Sequence, residues 1–171
     1  MRCCARSSSW TNRWWRRWTA TCGRAGGLGL FAACDITVAG LTSSFALTEA
    51  RLGLSPAVIS LTVLPRLTDR AASRYYLTGD RFDATEAERI GLVTITAENP
   101  DEVVGELAAS FRRCSPQGLA ASKQLTTHAM LATFDSDAER LIEMSATLFS
   151  SDDAQEGIAS FMERRPPRWA E

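Results

Sequence analysis

The chain of 171 residues contains one feature whose residue types could do chemistry without further context, a glycine-rich turn. Ala25-Gly26-Gly27-Leu28-Gly29 opens an apolar run that is predicted to be a short buried helix. Such a turn at a helix N-terminus offers unpaired backbone N–H groups, which can hold a phosphate or stabilise an oxyanion. The turn lacks the G-x-G-x-x-G pattern of a dinucleotide site and the Lys-Ser/Thr of a P-loop. It indicates either an anion site or glycines that permit close packing.

The other residue types exclude several kinds of site. His128 is the single histidine, so a three-histidine zinc site is excluded, and we predict no metal. His128 lies in a predicted helix, where a surface or packing role is expected. The five cysteines show no C-x-x-C spacing and follow no secretory segment, which predicts a reduced, cytoplasmic protein. The net charge of −1 and 45% hydrophobic residues are typical of a globular domain, and we predict no nucleic-acid or membrane partner.

Residues 1–22 differ from the rest of the chain in composition. They hold five Arg and no acidic residue, whereas the remainder carries a net charge of −6. On a helical wheel four tryptophans cluster on one side and three arginines on the other: Trp10, Trp14, Trp15 and Trp18 against Arg13, Arg16 and Arg17. Three interpretations stay open: an interfacial amphipathic helix, an organelle transit peptide, or GC-rich DNA translated in another frame. The segment is expected to lie outside the fold.

From residue 23 onward the pattern predicts a lopsided α/β domain, with few early strands and many later helices. β-branched or apolar stretches predict strands at 35–39, 44–47 and 92–95. Apolar periodicity, capping residues, glycines and prolines predict helices at 30–34, 57–64, 68–77, 83–91, 100–113, 116–131, 137–150 and 152–164.

A series of short motifs follows the glycine-rich turn at fixed distances. They are Cys34-Asp35, Phe45-x-x-x-Glu49, Arg51-Leu52-Gly53-Leu54-x-Pro56, Leu64-Pro65-Arg66-Leu67, Leu77-Thr78-Gly79, Ala84-x-Glu86-Ala87, Gly91-Leu92-Val93, Ala121-x-Lys123 and Glu156-Gly157-x-x-x-Phe161-x-Glu163-Arg164-Arg165-x-Pro167. Taken in register, they resemble the enoyl-CoA hydratase/isomerase (crotonase) family from Gly23 to the C-terminus. The resemblance implies a partial ββα spiral over 23–98 and a helical oligomerisation region over 99–171.

The resemblance also implies a site. The backbone N–H of Gly26 would be one of two oxyanion donors to a CoA thioester carbonyl, and Glu49 would be the catalytic carboxylate that moves a proton. Gly27, Pro56 and Lys123 would contact the substrate. No cofactor is implied, because the CoA thioester is itself the substrate. Lys123 and the basic tail (Arg164, Arg165 and Arg168) would face CoA phosphates or, alternatively, complement helix C-termini.

Two departures from the family pattern bear on the reaction. Hydratases of the family use two glutamates, and the first would fall at Gly29. That leaves Glu49 alone, an arrangement closer to isomerases or to divergent members of the family. After Pro56 the usual glycines are replaced by Ala57-Val58-Ile59-Ser60-Leu61.

The N-terminal third of the usual fold, with the other oxyanion donor, is also expected to be absent. We therefore expect hydration or double-bond isomerisation of a fatty acyl-CoA, impaired in this chain. The alternative is a non-catalytic truncated subunit that assembles with full-length relatives as a trimer or hexamer.

Overall fold

The computed structural model describes the backbone of residues 15–18, 23–24 and 26–170 and the side chains of residues 27–170. The strands are β1 (Trp15–Trp18), β2 (Gly23–Arg24), β3 (Ile36–Gly40), β4 (Ser44–Ala46), β5 (Phe82–Asp83) and β6 (Ile95–Ala97). The helices are α1 (Gly26–Ala32), α2 (Ser60–Val63), α3 (Asp69–Thr78), α4 (Ala84–Arg89), α5 (Pro100–Arg112), α6 (Pro116–Phe149) and α7 (Asp152–Glu163). Short 3₁₀ turns occupy Glu49–Leu52, Leu64–Arg66 and Arg168–Ala170.

The described strands form two three-stranded sheets, which confirms the α/β prediction. One sheet has the order β1-β3-β6 and is parallel throughout. The other has the order β2-β4-β5, with β2 and β4 parallel and β4 and β5 antiparallel. The first four strands alternate between the two sheets, so α1 connects a strand of one sheet to a strand of the other.

The backbone of Trp15–Trp18 is a strand that pairs with β3, from Trp15 opposite Ile36 to Trp18 opposite Ala39. The interpretation of this segment as an amphipathic helix is therefore wrong for these four residues, which lie in the sheet. A helix of about nine residues is marginal by itself in water, whereas β3 offers a row of backbone partners. The other residues of segment 1–22 named above lie outside the described residues.

The main core lies between the sheet β2-β4-β5 and the helices α1, α3 and α4. Four aromatic rings form its continuous centre, with centroid distances of 5.6 Å from Phe31 to Phe45, 5.8 Å from Phe45 to Phe82, and 4.2 Å from Phe82 to Tyr75. Tilted and offset ring contacts of this kind stabilise a core beyond the area they bury. The aromatic chain therefore joins α1, β4, β5 and α3 into one unit.

Several predicted boundaries are confirmed by their capping residues. Helix α3 ends at Gly79, which takes the left-handed conformation with φ of 64°. Helix α4 begins after Asp83, whose side chain accepts a hydrogen bond from the backbone N–H of Glu86 at 2.8 Å. Helices α5 and α7 also lie where the sequence predicts them.

The strand predicted at 92–95 is displaced to Ile95–Ala97. The residues before it contact β3 through threonine side chains as well as through the backbone. The backbone N–H of Thr37 donates to Thr94 Oγ1 at 3.1 Å, and the N–H of Thr94 donates to Thr37 Oγ1 at 3.0 Å. The N–H of Thr94 also donates to the backbone carbonyl of Thr37 at 3.1 Å, and regular pairing begins where Ile95 lies opposite Val38.

The two helices predicted at 116–131 and 137–150 are one helix, α6, of 34 residues. The intervening residues contain polar side chains but neither Gly nor Pro, so the helix is not forced to end there. Phe134, Ala138 and Leu141 pack against Ala57 and Leu61. This second apolar cluster holds the middle of α6 against the loop and helix α2.

Helix α7 packs with its backbone directly against the turn that begins at Glu49. A Cβ atom added to Gly157 would lie 2.4 Å from the carbonyl carbon and oxygen of Leu52. A Cβ atom added to Gly53, which has φ of 69°, would lie 2.4 Å from the carbonyl carbon and oxygen of Asp153. Only glycine at both positions permits this approach.

We expect Gly157→Ala to lower the free energy of unfolding by about 2 kcal/mol, because the methyl group meets backbone that cannot rotate away. Gly105→Ala is the matched control, since that helical glycine has no atom within 4 Å of an added Cβ. The control is expected to raise stability by about 0.5–1 kcal/mol through helix propensity. Urea unfolding measures both, and equal shifts of the same sign would contradict the proposed contact.

Candidate active site

Gly26 and Glu49 follow two neighbouring parallel strands. Strands β2 and β4 pair with Arg24 opposite Ala46. Gly26 opens α1 two residues after β2 ends, and Glu49 begins its 3₁₀ turn three residues after β4 ends. Because the carboxyl ends of parallel strands meet at one edge of a sheet, the topology brings both residues to the same edge. The first N–H groups of α1 have no acceptor within the helix.

The 3₁₀ turn that carries Glu49 is fixed to its surroundings on two sides. Arg51 donates from Nε to the carbonyl oxygen of Thr78 at 2.8 Å, and its Nη2 lies 2.7 Å from Asp80 Oδ1. These contacts tie the turn to the C-terminal end of α3. On its other side the turn meets α7 through the close backbone contacts of Gly53 and Gly157. The turn ends as the N–H of Leu54 donates to the carbonyl of Glu49 at 3.0 Å.

The Glu49 carboxyl is half-buried, and its Oε2 atom is enclosed without a hydrogen-bond partner among the described residues. Burial raises the pKa of Glu49 above its ordinary value of 4.5, and a backbone hydrogen bond at Glu49 itself opposes part of the shift. A carboxyl whose pKa is raised exchanges its proton at a pH closer to neutrality, as a general acid or base requires.

The side-chain space at Gly29 is filled by Ile59. A Cβ atom built on Gly29 would lie 2.6 Å from Ile59 Cγ2 and 2.9 Å from Ile59 Cβ. The hydroxyl of Thr62 donates to the carbonyl of Gly29 at 2.9 Å, which fixes α2 against α1 at this point. In the sequence, the glycine at position 29 and the bulky segment after Pro56 appear as two separate departures from the family pattern. In the structure they are complementary, because Ile59 of that segment occupies the space beside Gly29.

Gly27 and Pro56 lie on the two elements that meet at this packing arrangement. Gly27 is half-buried in the first turn of α1. Pro56 is buried, and its carbonyl accepts a hydrogen bond from the N–H of Ser60 at 3.0 Å, which begins α2. Their contact with a substrate remains a prediction.

Lys123 is not brought to the edge that carries Gly26 and Glu49. Its Nζ lies 2.6 Å from Asp35 Oδ2, and Asp35 follows the end of α1 remote from Gly26. Lys123 is also in the first third of α6, far from the helix C-terminus, so it does not complement that dipole. Contact between Lys123 and a CoA phosphate stays a prediction. In the structure the Lys123 charge is already paired with Asp35.

The basic tail is paired with carboxylates of α7. Arg165 contacts Glu156 at 2.7 Å and Glu163 at 2.6 Å, and Arg168 pairs with Asp153. The Arg165 guanidinium holds the pKa of Glu156 at about 2.

His128 is exposed on α6. The described residues hold no group of three or more metal-ligating side chains, and no described helix is long and apolar enough to cross a membrane.

The sequence pattern did not identify Tyr76 of α3. Its hydroxyl is enclosed without a hydrogen-bond partner among the described residues, like Glu49 Oε2. Burial, followed by the charge of Glu49, raises its pKa. The preceding residue, Tyr75, differs because its hydroxyl donates to Glu86 Oε1 at 2.8 Å. The sequence shows only two adjacent tyrosines in a predicted helix, and nothing in it distinguishes the unpaired hydroxyl of Tyr76 from the paired hydroxyl of Tyr75.

Known proteins match almost the whole described chain. A family model described as enoyl-CoA hydratase/isomerase matches residues 21–171. A Bacillus subtilis protein named "Probable enoyl-CoA hydratase" is 32% identical over 148 residues, covering 84% of this chain and 57% of its own length. The mitochondrial Delta(3,5)-Delta(2,4)-dienoyl-CoA isomerase of Dictyostelium discoideum is 32% identical over 149 residues, covering 83% of this chain and 50% of its own.

A crystal structure of an enoyl-CoA hydratase from Mycobacterium avium superposes with a TM-score of 0.84 at 61% sequence identity. The superposition covers 86% of this chain and 60% of that one, which confirms the partial crotonase fold. The chain thus spans a little over half the length of the relatives that it matches. Over that length, motif order, fold and family model agree, and the chain belongs to the enoyl-CoA hydratase/isomerase family.

Proposed function

We propose that the chain acts on a fatty acyl-CoA thioester and moves a double bond rather than adding water. The observation that carries this choice is the contact at Gly29, where Ile59 fills the space of a side chain. Hydration needs one group to activate water and another to protonate the acyl carbon. Gly29 supplies no second carboxyl beside Glu49, so a reaction that returns a proton to the acyl chain suits the site.

The reaction is a proton transfer through an enolate. The Glu49 carboxylate takes a proton from C2 of a 3-enoyl thioester, and the C–H electron pair moves into the C1–C2 bond. The carbonyl oxygen becomes an anion, which the N–H of Gly26 stabilises as one of its donors. The carbonyl then re-forms, the double bond moves to C2–C3, and C4 takes the proton from the neutral Glu49 carboxyl. No atom is gained or lost, and no cofactor is required.

A second candidate function is that of an assembling subunit, which the C-terminal helices favour. Large apolar side chains are exposed along α6 and α7: Leu125, Ile142, Met144, Phe149, Ile158, Phe161 and Met162. A surface this apolar is typical of a protein interface. We infer a homo-oligomer, a trimer or hexamer, or a mixed assembly with full-length relatives. A cytoplasmic location remains a prediction.

Glu49→Gln is expected to reduce isomerisation of a 3-enoyl-CoA by at least about 100-fold, because the amide cannot accept the C2 proton. In the unsubstituted chain, kcat/KM should rise with pH through a pKa above 4.5, since the base must be ionised.

The Glu49→Gln variant should unfold at an equal or higher temperature at pH 7. A raised carboxyl pKa means that ionisation in the fold costs stability as pH increases, and Gln removes that cost. Glu139→Gln, at an exposed position of α6, is the control and should change neither property.

Gly29→Glu is expected to lower the unfolding temperature, because its Cβ meets Ile59 at 2.6 Å. The double variant Gly29→Glu/Ile59→Gly should relieve the clash and gain hydration of crotonyl-CoA, which the unsubstituted chain should catalyse poorly. Ile59→Gly alone is the control, since it opens the space without adding a carboxyl. Faster hydration than isomerisation by the unsubstituted chain would overturn the choice of reaction.

Phe161→Asp/Met162→Asp should convert the assembly to a monomer of 18.7 kDa, because charges would replace side chains exposed by 63% and 75%. Light scattering after gel filtration measures the mass. Leu77→Asp is the control, since Leu77 is 78% exposed but lies on α3. A monomeric unsubstituted chain, or equal masses for all three, would rule out this interface.

A further inference from the structure

Two enclosed polar atoms lie on adjacent elements of the candidate site. In the described part of the chain, Glu49 Oε2 and the Tyr76 hydroxyl are the buried side-chain nitrogen or oxygen atoms without a hydrogen-bond partner. Buried polar atoms are almost always paired in folded proteins, because an unpaired one keeps its full desolvation cost. Two such atoms at one site therefore indicate a function.

The elements that carry them are held together by Arg51. It extends from the turn of Glu49 to the carbonyl of Thr78 and to Asp80, just after the helix that carries Tyr76. The charge of Glu49 also raises the pKa of Tyr76, so the two groups are within electrostatic reach. The turn of Glu49 is therefore joined to the helix of Tyr76, and neither Glu49 Oε2 nor the Tyr76 hydroxyl has a hydrogen-bond partner among the described residues.

Their chemistry is complementary. A carboxylate oxygen only accepts hydrogen bonds, and burial keeps the Tyr76 phenol protonated, so that it can donate one. Several charged groups on the elements packed against the turn have other partners. Arg51 pairs with Asp80, Asp153 with Arg168, and Glu156 with Arg165, while Arg74 lies 5.1 Å from the Tyr75 ring centroid. None of these pairs satisfies Glu49 Oε2.

We propose that Tyr76 is a positioning residue for Glu49, whose ionised carboxylate accepts a hydrogen bond from the Tyr76 hydroxyl at Oε2 and exchanges the substrate proton through Oε1. The role in catalysis rests on the function proposed above, but the contact between the two side chains does not. The bond forms when the carboxyl ionises and the Glu49 side chain turns toward the hydroxyl. The bond orients the base and favours its charged form.

Tyr76→Phe tests the contact, because it removes the hydroxyl and keeps the ring that packs against the core. Tyr75→Phe is the matched control, with the same change one residue earlier in the same helix, where the hydroxyl is bound to Glu86. The titration of Glu49 is followed by carbon NMR of glutamate carboxyls, with Glu49→Gln to assign the signal. The kcat and KM for a 3-enoyl-CoA are measured in parallel.

We expect Tyr76→Phe to raise the Glu49 pKa by about one unit, since a donor to the charged form is lost. It should lower kcat about tenfold with KM within twofold. Below the Glu49 pKa it should leave the unfolding temperature unchanged or higher, because the hydroxyl is then unpaired; above that pKa the loss of the bond should lower the unfolding temperature. Tyr75→Phe should lower the unfolding temperature and shift neither the titration nor kcat.

The two proposals fail separately. If Tyr76→Phe leaves the Glu49 titration unchanged, the positioning role is overturned, whatever the chain catalyses. If the titration shifts but no 3-enoyl-CoA is turned over, the contact stands and the proposed reaction is overturned. Equal titration shifts in Tyr76→Phe and Tyr75→Phe would also count against the contact, because a general loosening of α3 would explain both.

Discussion

The direct contact between the backbone of the Glu49 turn and the backbone of α7 is the constraint on which the site depends. A Cβ at Gly53 or Gly157 would overlap main-chain atoms of the other element, so these positions set how closely α7 approaches. That approach encloses one side of the turn, and Arg51 fixes the other side to the end of α3. The Glu49 Oε2 atom is thus enclosed by neighbouring residues without a hydrogen-bond partner among the described residues. A motif glycine more than a hundred residues away determines the environment of the candidate base.

The enclosure of unpaired polar atoms at the candidate site lowers the stability of the fold and favours proton transfer at Glu49. Burial without a partner raises the Glu49 pKa and leaves Oε2 unpaired, and the hydroxyl of Tyr76 is enclosed in the same way. A carboxylate satisfied by several donors would be more stable, but its lowered pKa would make it a poor base. Elsewhere in the chain a carboxylate is satisfied by donors and has a lowered pKa, as at Glu156, which Arg165 holds ionised. The contrast separates a carboxyl that stabilises the fold from one suited to proton transfer.

Much of the fold could be predicted because its signals are local. Asp83, Gly79 and the proline that opens α5 act within one turn of the chain, and they mark helix ends in the structure. The errors arose where distant contacts decide. Thr37 and Thr94 displace the start of β6, and packing on Ala57 and Leu61 keeps α6 continuous. The site divides in the same way. Motif order predicts Gly26 and Glu49, whereas the enclosure of the Tyr76 hydroxyl without a hydrogen-bond partner among the described residues is visible only in the structure.

The packing of Ile59 against Gly29 leaves no room for a side chain at this position of the candidate site. A glutamate lost by a single substitution would leave a cavity beside α2, which is costly in a packed interior. Here a branched side chain fills the space instead, and Thr62 fixes the helix pair with a hydrogen bond to the carbonyl of Gly29. In the proposed isomerisation one carboxyl would serve both the removal and the return of a proton. Such a group needs its charged and neutral forms to be close in free energy near neutral pH, and the burial of Glu49 moves its pKa in that direction.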